Sequence, residues 1–254
     1  MSSGEAFEEL VRIMHRLRSE CPWDAQQTHD SLRAYLLEET YEVLDALDKR
    51  DYGELREELG DLLLQVVFQA EVASEEDLFS IQEVIEGISE KLVRRHPHVF
   101  AQADADSAQD VVHRWEHIKT CVEKKGSSLA GVPETLPALL KATRVLQKIR
   151  HSGADPLPPE DAARAAERWL KELHDCPAED SERAERATGM VCLAVASLAK
   201  ERSVNAEDAL RRTLNRVADA FRKIEDKESG RKLPPEDRER IGRSLRRAAE
   251  GRAE

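Results

Sequence analysis

The chain is short of aromatic residues. Three Trp, three Tyr and five Phe make up 4% of its 254 positions, which suits a helix-rich protein with an aliphatic core. No stretch alternates apolar and polar residues with period two, so no strand is expected and the fold reads as all-α. The four cysteines, Cys21, Cys121, Cys176 and Cys192, are scattered with no Cys-x-x-Cys spacing. That leaves a zinc site unsupported and fits a reducing compartment. Long apolar runs are missing as well: the longest, 62–70, is interrupted by Gln65 and Gln69 and is too short to span a bilayer. The opening residues MSSGEAFEEL carry no basic, apolar secretory leader. These absences point to the cytoplasm and to no membrane partner. Positive charge is not in excess either: 39 Lys and Arg against 51 Asp and Glu give a net charge of −12. Broad binding to nucleic acid or to anionic membranes is thereby excluded, and an anionic ligand needs local cations or a metal.

What is present is acid on an apolar face. Residues 36–68 read LLEETYEVLDALDKRDYGELREELGDLLLQVVF and predict two helices joined by a turn at 49–53. Glu39 and Glu42 are three apart on the first helix, and Glu58 and Asp61 are three apart on the second, so each pair shares a face. At about 100° per residue, Glu39 falls in the arc of Leu32, Leu36, Val43 and Leu47. Glu58 falls beside Leu55, Leu62 and Val66. In a chain this acidic, most Glu-x-x-Glu pairs mark a solvated face, but acids on a core-facing stripe are costly unless paired or bound to metal. Antiparallel packing of the helices would converge four carboxylates with no sequence-local cation. Two Mg²⁺ ions would neutralise them, and such sites also hold substrate phosphates. Gly60, a costly residue inside a helix, is expected to mark a close approach between Glu58 and Asp61.

Helices are further predicted at 5–18, 78–95, 109–124, 137–150, 160–174, 181–202, 206–226 and 235–250, with Thr28, Asp30 and Ser31 as candidate caps of the helix that carries Glu39. The basic turn Lys91, Arg94, Arg95 suits a triphosphate, because arginine grips phosphate oxygens bidentately. Basic residues also suit any helix C-terminus. Trp115 and Lys119, one turn apart, read as a base-stacking ring and a phosphate contact, against the commoner reading of a core Trp beside a surface Lys. Trp23 lies in the loop Cys21-Pro22-Trp23-Asp24, where function concentrates. His29-Asp30 and His174-Asp175 suggest a His-Asp phosphohydrolase but lack further ligands. No Glu-x-x-His motif supports a di-iron bundle.

Together these strings resemble the MazG family of nucleoside triphosphate pyrophosphohydrolases, within the all-α NTP-pyrophosphatase superfamily. The resemblance rests on Cys21-Pro-Trp-Asp24, Glu38-Glu-Thr-Tyr-Glu42, Glu57-Glu-Leu-Gly-Asp61, Lys91 with Arg94-Arg-His-Pro-His-Val-Phe100, Trp115-Glu-His-Ile-Lys119 and Gly131-Val-Pro-Glu-Thr-Leu-Pro137. It is strong over about 5–140 and thin beyond. It implies Glu39, Glu42, Glu58 and Asp61 as Mg²⁺ ligands, with Mn²⁺ as a substitute. It implies Lys91, Arg95, Trp115 and Lys119 as nucleotide contacts, to which Arg94 and Trp23 are added. Glu38 or Glu39 is the expected water-orienting group, and the implied reaction is NTP + H₂O → NMP + PPi. A homodimer is expected, because superfamily relatives complete a four-helix bundle between subunits. The rival reading is a non-catalytic nucleotide sensor or helical interaction module.

The chain also repeats itself. Residues 60–70, GDLLLQVVFQA, can be laid on 189–199, GMVCLAVASLA. This places Ala187 where Glu58 stands and Met190 where Asp61 stands. The expected organisation is a catalytic domain at 1–125, a linker with one helix at 126–158, and a degenerate, inactive second domain at 159–254.

Overall fold

The computed structural model describes residues 1–101, 127, 129–227 and 238–251, and every regular element among them is helical. The chain divides into two compact units, Met1–Glu123 and Lys124–Glu254. The helix expected at 109–124, with Trp115 and Lys119, lies outside the described residues.

In the first unit α1 spans Ser3–Glu20. Ser2 and Glu5 form a reciprocal capping box at its start, which satisfies two backbone donors the first turn leaves open. It stops before Pro22, and a single 3₁₀ turn, Asp24–Gln26, follows. Helix α2 spans Arg33–Lys49 and α3 spans Tyr52–Glu75. The expected caps of α2 act one turn earlier. The Ser31 hydroxyl accepts the Thr28 N–H at 2.9 Å, the Thr28 hydroxyl accepts the Ser31 N–H at 3.2 Å, and α2 starts from Leu32 with no side-chain cap. The hairpin between α2 and α3 is two residues long. Arg50 takes the left-handed conformation (φ 56°), and its N–H closes α2 on Ala46 and Leu47. The Asp51 carboxylate then accepts the N–H groups of Gly53 and Glu54 at 3.0 and 3.1 Å, so an αL cap and an Asp N-cap meet back to back. Helix α4 (Ile81–Arg95) and a short helix α5 (Pro97–Phe100) follow among the described residues. Its core is Met14, Leu32, Val67, Phe68 and Val72, with Phe7, Leu10, Val11, Leu64 and Ile81 packed around it.

Arg18 ties the loop after α1 to this core. Its side chain is only 8% exposed and pairs with Glu75 at the end of α3. The same guanidinium donates to the carbonyls of Asp24 and Gln27, the latter at 3.0 Å, and lies over the Phe68 ring at 5.8 Å. Glu75 holds the Arg18 guanidinium charged, and Arg18 lowers the Glu75 carboxyl in return.

The second unit holds α6 (Ala138–His151), α7 (Pro159–His174), α8 (Ser181–Glu201), α9 (Ala206–Lys227) and α10 (Arg238–Ala249). Helix α6 is the one expected within the linker. Its Arg150 binds Asp155 at 2.8 Å, Glu201 at 3.1 Å, the Leu157 carbonyl at 3.1 Å and the buried Ser197 hydroxyl at 2.6 Å. Leu157, Ala162, Ala165 and Ala194 form the buried core, with Trp169, Leu193 and Leu198 around it.

The backbone repeats between the units. Gly60 is the ninth residue of α3, and Gly189 is the ninth of α8. Two residues past each helix a non-glycine residue adopts positive φ, Asp77 at 54° and Ser203 at 56°. The next N–H, of Leu78 or Val204, then reaches back to Ala73 or Ala199 at 2.9 Å. This is the same Schellman-type stop twice, with an apolar residue after it each time.

Replacing Arg18 with Met keeps an apolar stem over Phe68 but removes the donors held by Glu75 and the two loop carbonyls. The expected cost is about 1–3 kcal/mol, read as a lower urea midpoint with an unchanged slope.

Candidate active site

The acids converge as their spacing predicts. Glu39 on α2 and Glu58 and Asp61 on α3 each offer a carboxylate oxygen within 4.8 Å of the others. Glu42 joins them, since it is the leading charge acting on Glu58 and hydrogen-bonds Glu39. The pairing follows the antiparallel register. Asp61 is the charge that most affects Glu39, and Glu42 the one that most affects Glu58. One rung further from the turn but one, Leu32 and Phe68 share the core.

Both shifted carboxyls are pushed up. Partial burial raises Glu39 first, then the charge of Asp61, the hydrogen bond with Glu42, and the charges of Glu42 and Glu58. Glu58 is raised by desolvation and by Glu42, Asp61, Glu54 and Glu57. Every charge among these causes is acidic, and like charges this close disfavour joint ionisation. Carboxylate oxygens gathered this closely, two of them half-buried on Glu39 and Glu58 and with only acidic charges among the causes acting on those two, are the donor set a hard divalent ion takes.

The other expected residues are placed as follows. Glu38 is exposed on α2 beside Glu39. Lys91 and Arg94 are exposed and Arg95 half-buried in the last turn of α4, and none of the three is among the causes that shift Glu39 or Glu58. Trp23 is 53% exposed and meets Tyr35 edge-on at 5.9 Å between ring centroids. Tyr35 precedes Glu39 by one turn of α2 and so shares its face. That aromatic pair was not foreseen, although the i, i+4 spacing of Tyr35 and Glu39 was there to be read. Gly60 corrects an expectation: a Cβ there would meet nothing within 4 Å, so no close approach in this chain requires the glycine.

The second unit keeps the hairpin and loses the acids. Ala187 is fully buried and Met190 half-buried at the positions of Glu58 and Asp61. Glu172 is taken by Arg183 at 2.6 Å, which lowers its carboxyl. Arg216 on α9 donates to the carbonyls of Ala248 and Ala249 at 3.2 and 3.1 Å, and so caps the end of α10. Among the described residues, Glu39, Glu58 and Asp61 are the one group with metal-ligand geometry.

Known proteins resemble the chain over most of its length. A family model for the MazG nucleotide pyrophosphohydrolase domain matches residues 27–100, which contain all four acids. The chain is 40% identical over 228 residues to the nucleoside triphosphate pyrophosphohydrolase/pyrophosphatase MazG of Thermotoga maritima, covering 88% of this chain and 87% of that one. It is 38% identical over 233 residues to the nucleoside triphosphate pyrophosphohydrolase of Escherichia coli, covering 86% and 87%. Both matches are longer than either unit and so run through the two of them. The uncharacterized protein YabN of Bacillus subtilis is 48% identical over 146 residues, 56% of this chain and 30% of that protein.

The raised carboxyls fix the sign of a pH effect. Glu39 and Glu58 bind protons more readily in the fold than in the unfolded chain, whose isolated Glu value is 4.5. The metal-free chain therefore loses stability as pH rises from about that value through the raised values. Thermal unfolding in chelator between pH 4.5 and 7 should show this decline, and the double variant Glu39→Gln, Glu58→Gln should flatten it.

Proposed function

The chain belongs to the MazG family, and we propose that it hydrolyses nucleoside triphosphates to the monophosphate and pyrophosphate with Mg²⁺ at Glu39, Glu42, Glu58 and Asp61. The observation that carries the reading is the convergence of these acids across the hairpin, with every charge that raises Glu39 and Glu58 an acidic one. Bound there, Mg²⁺ would offset phosphate charge and lower the pKa of water, and Mn²⁺, with the same preference for oxygen, would substitute.

The chain's own groups do the rest. Glu38 or Glu39 orients a water and takes its proton as general base in this reading. The water oxygen bonds to the α-phosphorus, the bond to the α,β-bridging oxygen breaks, and pyrophosphate leaves with the electron pair. Lys91, Arg94 and Arg95 offset charge on the leaving pyrophosphate, together with Lys119. Trp23 and Trp115 are the rings assigned to the nucleoside end. The second unit is a scaffold without turnover, because its acids are replaced and its remaining pair, Glu172 and Arg183, is already matched.

The active form is a homodimer in this reading. Leu59, Leu63 and Val66 on α3 and Ile85, Ile88 and Leu92 on α4 are all 40–50% exposed, apolar surface that a second copy would cover. Light scattering at micromolar concentration should give twice the 28.7 kDa chain mass, and a monomer would remove this part of the proposal.

Glu58→Ala and Asp61→Ala should each abolish Mg²⁺-dependent release of pyrophosphate while leaving the helical circular dichroism intact. Mg²⁺ at a hundredfold excess over its Kd should stabilise the wild type by about 2.7 kcal/mol and neither variant. Glu172→Ala should keep turnover within about twofold of wild type. Near-normal activity in both acid variants would sink the assignment.

A further inference from the structure

The hairpin register leaves one rung between the carboxylates and the core. Glu39 faces Asp61 on the site side, and Leu32 and Phe68 lie in the core on the other. Stepping one turn from Glu39 gives Tyr35, and stepping one turn from Asp61 gives Gln65. Gln65 is on the carboxylate face of α3, four residues after Asp61 and seven after Glu58. It is 6% exposed, and its Oε1 is buried with no hydrogen-bond partner. Buried polar groups are nearly always satisfied, so an exception beside a site calls for a reason. Gln69, one turn on, is fully used: its amide pairs with the His29 ring at 2.5 Å and with the His29 carbonyl at 3.4 Å. The Gln65 Oε1 has no such partner among the described residues.

The surroundings have the character of a base site. Tyr35 is partly exposed on the same rung, and Trp23 meets it edge-on at 5.9 Å. Arg18 braces the loop that carries Trp23 by binding the carbonyls of Asp24 and Gln27, so this exposed ring sits on a fixed support. One helical turn is about 5.4 Å, comparable to the reach from a nucleotide's α-phosphate to its base.

We propose that Gln65 is a specificity-determining residue that accepts a hydrogen bond at Oε1 from an N–H on the nucleobase edge of the bound triphosphate. The acceptor is then satisfied only in the complex. A site built around a buried hydrogen bond rejects substrates that cannot make it, because the protein group is left unpaired. This assignment rests on the triphosphate reaction proposed above.

The test compares wild type, Gln65→Leu and Gln65→Met with Mg²⁺, using the common nucleoside triphosphates and ribose 5-triphosphate, which has no base. Removing an unsatisfied buried amide should leave both variants unfolding no lower than wild type. For the nucleotides, kcat/KM should fall about tenfold or more, mainly through KM, and preferences between bases should shrink. Ribose 5-triphosphate should be hydrolysed equally by all three proteins. Unchanged base preferences in the variants, with an active wild type, would overturn the assignment of Gln65 alone. So would lower melting temperatures with equal losses on every substrate including ribose 5-triphosphate, which assigns Gln65 to packing. A wild type that turns over none of these substrates would overturn the reaction itself, and this assignment with it.

Discussion

Mutual repulsion among four carboxylates is the constraint around which the first unit is arranged. Glu39, Glu42, Glu58 and Asp61 lie on two helices whose other contacts must hold them together against like charge. The restraint is geometric. A two-residue turn, with Arg50 in the left-handed region and Asp51 capping α3, allows one register. At the far end Leu32 and Phe68 lock the same register from within the core. A slip of one residue would rotate an acid by about 100°, moving it off the shared face and carrying a core residue out to solvent. The interaction that opposes the fold and the contacts that secure it thus belong to one alignment.

The second unit shows what the same backbone becomes without that repulsion. The hairpin, the position of the glycine, and the positive-φ stop after the long helix all recur. Alanines now fill the seam: Ala165, Ala187 and Ala194 are buried. The acid that remains, Glu172, is neutralised by Arg183, and Arg150 ties α6 and the loop that follows α6 to the end of α8. Polar groups that can bind a ligand in one unit are matched internally in the other. The repeat preserves the paired helices and varies the chemistry on the seam between them.

The end of the site assigned by proposal to the base follows from the same alignment. The rung that carries Tyr35 and Gln65 is neither acidic like its neighbour nor fully apolar like the next. It sits where the structure passes from core to site, and a single amide oxygen there is sealed from water without a partner. Arg18, far from Gln65 in sequence, supports that end by fixing the loop of Trp23.

The sequence by itself determined the helical class, the boundaries of most of the longer helices among the described residues to within about three residues, and the face on which the four acids lie. All of these depend on periodicity and on local caps, which are short-range. The family resemblance was also legible, since its strings are contiguous. Several features were decided by tertiary structure alone. Gly60 reads as a mark of close packing, yet open space surrounds it, because clearance depends on what the neighbouring helix presents. Thr28 and Ser31 read as caps of α2 but bond each other, since the residues between them form a turn first. Gln65 and Gln69 look alike as interruptions of one apolar run. His29 satisfies only Gln69, and that difference arises from a residue 40 positions away. Burial and partnership of a polar group are properties of the packed chain, and no local pattern encodes them.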